Sequence, residues 1–199
     1  VRILLARGIS AQTLAERTGL EPQTLDDPNA RVPLSHFTRL WAYACSELKH
    51  PALALELHER YPDNRMHFVA HLGMRCATLR EAIEQWQKYA FLVAETDEVG
   101  YIVDGVQARF TYHCRDARYA SHWFAEHYTA LALHYARSFT GQPLRLHRAR
   151  FKHADPGYRE VYERVFDAPI DFGADENALV FDAALLDLPF QSADPYLRH

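Results

Sequence analysis

The stretch EVGYIVDGVQARFTYH, from Glu98 to His113, decides the fold class of this chain. Apolar and polar side chains alternate on both sides of Asp104-Gly105, and an Asp-Gly pair between alternating runs is a strong β-hairpin signal. A turn centred on Asp104-Gly105 pairs Tyr101 with Ala108. The apolar side chains of both strands then share one face, which predicts a second layer that buries them.

Helical periodicity dominates on both sides of the hairpin. Predicted helices cover Ala11–Thr18, Ser35–Leu48, Pro51–Tyr61, His67–Arg75, Leu79–Val93, Ala120–Phe139 and Pro156–Phe166. Predicted short strands cover Leu146–Lys152, Ile170–Phe172 and Leu179–Phe181. This order of elements indicates an α+β fold, with N-terminal helices and a small hairpin-centred sheet covered by long helices in a single compact domain.

The composition is that of an ordinary globular protein and argues against DNA binding by this stretch. Hydrophobic residues make up 48% of the 199 residues, and the formal net charge is −4. A duplex-binding surface needs clustered Lys and Arg, whereas the arginines here are interleaved with acidic residues. The 3 cysteines have no CxxC spacing and indicate free thiols in a reducing cytosol. Since no apolar run could span a bilayer and no signal peptide is visible, we expect a cytoplasmic protein without a membrane partner.

Familiar catalytic motifs are absent from the sequence. None of the patterns GxGxxG, GxxxxGK[ST], HExxH or GxSxG occurs. His113 and Cys114 are neighbours in a predicted strand, where adjacent side chains point to opposite faces, so they are badly placed for joint catalysis. We therefore expect that the protein is not an enzyme.

The segment Ile9–Leu20 looks like the first helix and turn of a helix-turn-helix unit. The recognition helix would then have to lie in Glu21–Pro28, which contains three acidic residues and two prolines. Acidic side chains repel phosphates and prolines interrupt helices. We interpret the first segment as a small packing helix.

Motifs spread over nearly the whole chain resemble one family. The most specific is Ile170–Ala174 followed by Glu176–Phe181. The others are Gly19-Leu20, Arg31–Leu34 before Trp41, Thr78–Ile83, Phe151–His153, Pro156 with Tyr162 and Phe166, Leu185–Asp187, Pro189 and Asp194-Pro195. In this order they resemble the N-terminal, arabinose-binding-type domain of AraC-type transcription regulators, whose members sense varied ligands.

The resemblance implies a ligand-sensing and dimerisation domain whose small-molecule effector controls DNA binding. DNA would be contacted by a missing C-terminal domain of two helix-turn-helix units, which would begin shortly after Asp194-Pro195. Two DNA-binding domains would contact two half-sites of an operator, so the resemblance also implies a homodimer. RNA polymerase is a further candidate partner. On this basis residues 1–62 form an N-terminal helical subdomain, 63–193 the α+β effector-binding core, and 194–199 the start of a linker.

The apolar hairpin face and its covering helices predict a ligand pocket lined by rings and a few polar groups. The candidate ligand-binding residues are His67, His71, Tyr89, Tyr112, Trp123, His127 and Tyr128. Rings at helical spacing are also what an ordinary core contains, so each residue has core packing as its alternative role.

A metal- or haem-binding sensor is the alternative function. His67 and His71 lie four residues apart, so both imidazoles can face one ion, and His122 and Glu126 repeat that spacing. The chain contains 12 histidines, however, and such pairs are expected by chance when a real site needs three or four ligands. We therefore predict neither metal ligands nor a cofactor.

Two surface features leave alternatives open. The apolar stripes of Ala120–Phe139 and Tyr158–Phe166 fit a dimer surface and fit a buried core equally well. Arg145, Arg148 and Arg150 could bind an anion, but a strand edge blunted by charge is the interpretation we favour.

Overall fold

The structure of the chain is a computed structural model that describes residues 1–24, 31–60 and 68–191, with the backbone alone at 59, 60 and 68. The chain divides into two units, Val1–Ala54 and Leu55–His199. His67 and Asp194-Pro195, which the sequence analysis singled out, lie outside the described residues.

Helices make up the regular structure of the first unit. They are α1 (Arg2–Ala6), α2 (Ala11–Thr18), a 3-10 turn at Pro22–Thr24 and α3 (Leu34–Glu47), and α4 (Leu53–Glu56) crosses the division between the units. The Ser10 side chain caps α2 by accepting a hydrogen bond from the Thr13 amide, and Gly19 ends it with a φ of +79°. The 3-10 turn at Pro22–Thr24 follows, and since residues 25–28 lie outside the described residues, the packing role of α2 stays a prediction.

The second unit is built on one five-stranded sheet. Its helices are α5 (Phe68–Gly73), α6 (Leu79–Tyr89), α7 (His122–Thr140) and α8 (Arg159–Phe166), with 3-10 turns at Leu57–Arg60, Ala90–Leu92 and Ala183–Asp187. Its strands are β1 (Asp97–Asp104), β2 (Gln107–Cys114), β3 (Arg148–Phe151), β4 (Ile170–Phe172) and β5 (Asn177–Asp182). The spatial order is β1-β2-β5-β3-β4, antiparallel except for the parallel pair β3 and β4 that α8 connects. The predicted mixture of helices and a hairpin-centred sheet is confirmed.

The hairpin has the predicted strands and buried face but a different register. Tyr101 pairs with Phe110 and not with Ala108, because Gly105 and Val106 are the two central turn residues. Gly105 has a φ of +60°, whereas Val106 is not among the residues with positive φ. This combination fits a type II′ turn, which places glycine first, while the predicted turn needed positive φ at two successive residues. The same face is buried in both registers because they differ by two residues.

The start of α8 also differs from the prediction. The carboxylate of Asp155 accepts a hydrogen bond from the Gly157 amide, 2.9 Å away, and so forms a local turn in place of a helix cap. As a result α8 begins at Arg159 and not at Pro156.

The two faces of the sheet have opposite character. The inner face carries buried apolar side chains from the three central strands, namely Ala108, Phe110, Tyr112, Ala149, Phe151, Leu179 and Phe181. On the outer face Arg148 pairs with Asp171 at 3.0 Å and Arg150 with Glu176 at 2.7 Å. Since β3 lies between β5 and β4, the predicted strand edge at these arginines is wrong: they lie on the solvent face of an interior strand, where carboxylates pair with them.

We predict that Gly105→Ala lowers the free energy of unfolding by about 1 kcal/mol, because alanine resists positive φ. Asp104→Ala should change it by less than about 0.5 kcal/mol, since Asp104 is an exposed strand residue in this register. Urea unfolding of both variants measures this difference. Equal losses would instead favour a turn centred on Asp104-Gly105.

Candidate ligand site

An apolar cavity of about 80 Å³ lies in the second unit, between α5, α6, α7 and the inner face of the sheet. Its lining residues come from helices, strands, the loop between α7 and β3, and the segment after β5. They are Val69, Ala70, Gly73, Leu79, Ala82, Ile83, Trp86, Phe110, Ala132, Leu133, Tyr135, Ala136, Phe139, Leu144, Leu146, Leu179, Phe181, Leu185 and Phe190. Small molecules typically occupy concave sites of this type, and the volume of this one is small for such a site.

Small side chains on facing helices create this space. Ala132 and Ala136 lie one turn apart on α7 and so share one face of that helix. Across the cavity, Gly73 and Ala82 leave room in the same way, and a Cβ atom built on Gly73 would lie 3.9 Å from the Phe139 ring. Four neighbouring positions thus lack the bulk that would close the interior.

The cavity wall carries few polar groups. Among the described lining residues, side-chain nitrogen or oxygen occurs in Trp86 and Tyr135, and none of them is charged. Such a cavity favours an apolar occupant, because a polar group moved there from water loses hydrogen bonds.

The segment after β5 forms one wall of the cavity through Leu185 and Phe190. The Phe190 amide donates to the Ala77 carbonyl at 3.0 Å, and the next amide, that of Gln191, donates to the Phe139 carbonyl at 2.8 Å. The rings of Phe139 and Phe190 also pack with their centroids 5.3 Å apart. This segment is therefore fastened to the helices that enclose the cavity.

Three predicted site residues come together beside the cavity. The rings of Tyr112 and Tyr128 stack at 4.9 Å, and His127 lies 5.4 Å from Tyr128. Tyr128 in turn contacts Trp86 at 6.2 Å, and Trp86 lies 5.6 Å from Phe110. The predicted residues thus continue a row of rings that begins at the cavity wall, and their contact with an effector stays a prediction.

A buried carboxylate ends this row. The Tyr112 hydroxyl donates to Asp97 at 2.9 Å. Burial raises the pKa of Asp97, and hydrogen bonds from Tyr112 and Tyr128 offset part of that rise. Burial, followed by the charge of Asp97, raises the pKa of Tyr112, so this phenol keeps its proton and acts as a donor.

The other predicted residues lie elsewhere. His71 is exposed on α5, and Tyr89 is half-buried at the end of α6 with the Lys88 ammonium 5.0 Å from its ring. Trp123 packs against His122 at 4.7 Å near the start of α7. The structure does not bring these three residues together with Tyr112.

A second polar cluster surrounds Glu126, which is completely buried on α7. Its Oε1 accepts hydrogen bonds from the hydroxyls of Tyr158, at 2.7 Å, and Tyr162. Its Oε2 is buried without a hydrogen-bond partner among the described residues. The Tyr162 hydroxyl also lies 3.2 Å from Nε2 of His153.

One phenol proton is shared between two acceptors in this cluster. His153 Nδ1 lies 2.9 Å from the Ala154 carbonyl, which can only accept, so Nδ1 carries the proton and Nε2 is an acceptor in the neutral ring. Tyr162 can therefore donate to Glu126 or to His153, but not to both. An ionised Glu126 is the stronger acceptor of the two, so the phenol proton then favours the carboxylate.

Burial decides the protonation states in this cluster. Burial raises the pKa of Glu126 to about 7, against the opposing effect of the hydrogen bonds from Tyr162 and Tyr158. Burial lowers the pKa of His153, and burial followed by the neighbouring His153 lowers that of His122 to about 4. Both imidazoles are thus neutral near pH 7, where Glu126 titrates.

In the described parts of the chain no three His, Cys, Asp or Glu side chains converge to hold a metal ion. His122 faces His153, at 5.7 Å between ring centroids, and Glu126 faces tyrosines. The pair His67 and His71 falls partly outside the described residues, so it stays untested. Across those same residues, no helix combines the length and apolarity needed to cross a membrane.

The sequence analysis missed the residues that create the cavity, and it considered Glu126 only as a metal ligand. The available signal was Ala132 and Ala136 at a four-residue spacing inside an otherwise ring-rich helix. For Glu126 the signal was a single acid on the apolar stretch Phe124–Leu133.

Comparisons with known proteins place this chain in a family of transcription regulators. Residues 8–190 match the family described as the arabinose-binding domain of AraC transcription regulator, N-term. The ornithine utilization regulator of Pseudomonas aeruginosa is 26% identical over 189 residues, which are 94% of this chain and 56% of that protein. The crystal structure of transcriptional regulator CdpR from Pseudomonas aeruginosa has the same fold, with a TM-score of 0.65 at 17% identity over 94% of this chain and 57% of that one.

The family match defines the class of protein, a regulatory, ligand-binding type of domain found in transcription regulators. The chain belongs to the family of N-terminal arabinose-binding domains of AraC transcription regulators. It spans little more than half the length of the relatives it matches.

The buried carboxyl of Glu126 generates a prediction about pH. A folded-state pKa near 7 against an ordinary value of 4.5 means that the folded state binds the proton more tightly than the unfolded chain. The protonated carboxyl therefore contributes fully to the free energy of unfolding below pH 4.5. This contribution, about 3 kcal/mol in total, decreases as the pH rises towards 7 and is lost above pH 7. Glu126→Gln should remove this contribution. The difference in free energy of unfolding between wild type and variant should therefore change by that amount from pH 4.5 to 8.

Urea unfolding across this pH range measures the difference, from which groups that titrate alike in both proteins cancel. Glu163→Gln, an exposed carboxyl on α8, is the matched control and should show a nearly constant difference. A Glu126→Gln difference independent of pH would contradict the assigned burial effect.

Proposed function

We propose that this chain is the effector-sensing domain of an AraC-family regulator, in which a small molecule controls DNA binding by a C-terminal helix-turn-helix domain. The observation that carries the proposal is the apolar cavity enclosed by α5, α6, α7 and the sheet, in a chain of this family. The regulators named above support a regulatory and not a catalytic role. Cys114 is buried and His113 exposed on neighbouring positions of β2, an arrangement unsuited to a thiol–imidazole catalyst.

The segment after β5 supplies a physical route from effector to DNA. Leu185 and Phe190 touch the cavity, so an occupant contacts the same residues that lead towards residue 192 and beyond. An effector acts on an equilibrium only through different affinities for its states. Here the states differ in how the segment 183–191 packs against α6 and α7.

A homodimer is part of the proposal, with the open edge of the sheet as its surface. The apolar stripes considered for this role supply core residues, since Phe124 and Leu131 of α7 and Tyr162 of α8 are buried. By contrast β1 is an edge strand, with Ile102 at 45% exposure, and the exposed side chains Phe91, Leu92, Val93 and Val103 lie on β1 or just before it. Unpaired strand edges with exposed apolar side chains are sites where chains associate.

A chimera tests the sensing function. This chain would replace the matching N-terminal part of the ornithine utilization regulator, and a metabolite library would be screened for compounds that raise the melting temperature of the chain. We expect that at least one such compound changes transcription from that regulator's promoter through the chimera, because binding to the folded state is coupled to DNA binding. The unmodified regulator is the control and should ignore the compound. If compounds stabilise the chain but none alters transcription by a chimera that binds DNA, the proposal fails.

Sedimentation of the chain at tens of micromolar tests the dimer. We expect dimers for the wild type and a dissociation constant raised at least tenfold by Ile102→Lys, which places a charge in the paired edge. Arg159→Lys, far from β1 on α8, is the control and should sediment as the wild type does. Monomeric wild type at these concentrations would refute this surface and the homodimer of the isolated chain.

A further inference from the structure

We infer that the cavity admits an uncharged apolar group, a single ring or a short hydrocarbon, and excludes amino acids and sugars. The inference rests on the proposed function, because it names the chemical class of the effector. Its basis is the volume of the cavity and the chemistry of the side chains that line it.

The volume limits the occupant. Cavities for drug-sized ligands measure roughly 300–1,000 Å³, against about 80 Å³ here. An engineered apolar cavity of about 150 Å³ in another protein stays dry and takes up benzene or xenon. At about half that volume, the space between Ala136, Ala82 and Phe110 admits at most one ring or a chain of a few carbons, alone or at the end of a larger molecule.

The lining excludes charge. An amino acid such as ornithine would bring an ammonium and a carboxylate, and each needs a partner when it leaves water. No carboxylate or cationic side chain occurs among the described residues of the wall. Arg137, next to Ala136 in sequence, donates to the carbonyls of Pro143, Leu144 and Val165.

The lining also disfavours a sugar. Each hydroxyl of a pentose needs a hydrogen bond in a buried site, whereas the wall offers the Trp86 indole and the Tyr135 hydroxyl as its side-chain polar groups among the described residues. An apolar ring, by contrast, gains contacts with Phe110, Phe139 and Phe181 without losing hydrogen bonds.

Toluene is the probe, with ornithine and arabinose as polar comparisons at equal concentration. Calorimetric titration and amide NMR of the intact chain should show saturable toluene binding, with shifts centred on Ala136, Phe139 and Phe190. The two polar compounds should produce neither heat nor shifts at the cavity. Saturable binding of ornithine or arabinose at these residues, or no toluene binding, overturns the inference.

Variants locate the binding. Ala136→Leu fills the cavity and should weaken toluene binding at least tenfold, while Ala120→Leu, the same change at an exposed position, should leave it unchanged. Leu146→Ala enlarges the cavity from its half-buried rim and should admit a larger ring such as naphthalene. This second variant keeps the test valid if Ala136→Leu fails to fold. Unchanged toluene affinity in folded Ala136→Leu, or no naphthalene binding by Leu146→Ala, counts against the site.

The chimera separates the two proposals. If toluene does not bind but a polar compound stabilises the chain and changes transcription, the apolar inference falls and the sensing function stands. If toluene binds in the cavity and no compound changes transcription, the sensing function falls and the chemistry assigned to the cavity stands.

Discussion

The contact between α7 and the inner face of the sheet is the constraint on which the rest of the second unit depends. Tyr128 stacks on Tyr112, and Phe124 and Leu131 are buried in the same layer. Each such side chain contributes about 1.5–3 kcal/mol by leaving water. Because α7 extends along the sheet, its sequence decides where the layers touch and where they part. The cavity lies where its side chains shrink to alanine, at residues 132 and 136, and the buried acid lies two to three turns earlier.

Both departures from tight packing reduce stability. The small side chains around a cavity of about 80 Å³ give up packing contacts worth at most about 2 kcal/mol by the scale of large-to-small core substitutions. The buried carboxyl of Glu126, one of whose oxygens has no hydrogen-bond partner among the described residues, adds a cost of similar size once it ionises. Filling either gap with a larger or an uncharged residue would be a simple way to stabilise the fold, so their presence fits a domain that is not optimised for stability alone. A ligand that occupies the cavity recovers the missing contacts, which is a source of binding energy.

Local pattern predicts the elements of this fold well and their assembly less well. Alternation around Gly105 identified both hairpin strands and their buried face, but both possible turns preserve that alternation, so pattern could not choose between Ala108 and Phe110 as the partner of Tyr101. Nothing local indicated that β5 inserts between β2 and β3, because strand pairing over such distances depends on the whole sheet. The candidate site was likewise predictable only in part. Tyr112 and Tyr128 were identifiable as site residues from their residue types. The cavity was not, because it depends on which alanines face each other in the folded chain.

Membership of the family therefore predicts the fold of this chain but does not predict its effector. A chain only 17% identical to CdpR keeps its fold, since many apolar sequences can satisfy the contact of α7 with the sheet. Under the proposed function, the choice of ligand depends instead on the side chains that line the cavity, such as Ala136 and Ala82. In this chain the same wall that limits the size of the occupant includes Leu185 and Phe190, which continue into the segment that leaves the sheet. Under the proposed function, a molecule that fits the cavity contacts Leu185 and Phe190, so selection of the ligand and transmission of the signal would depend on the same contacts.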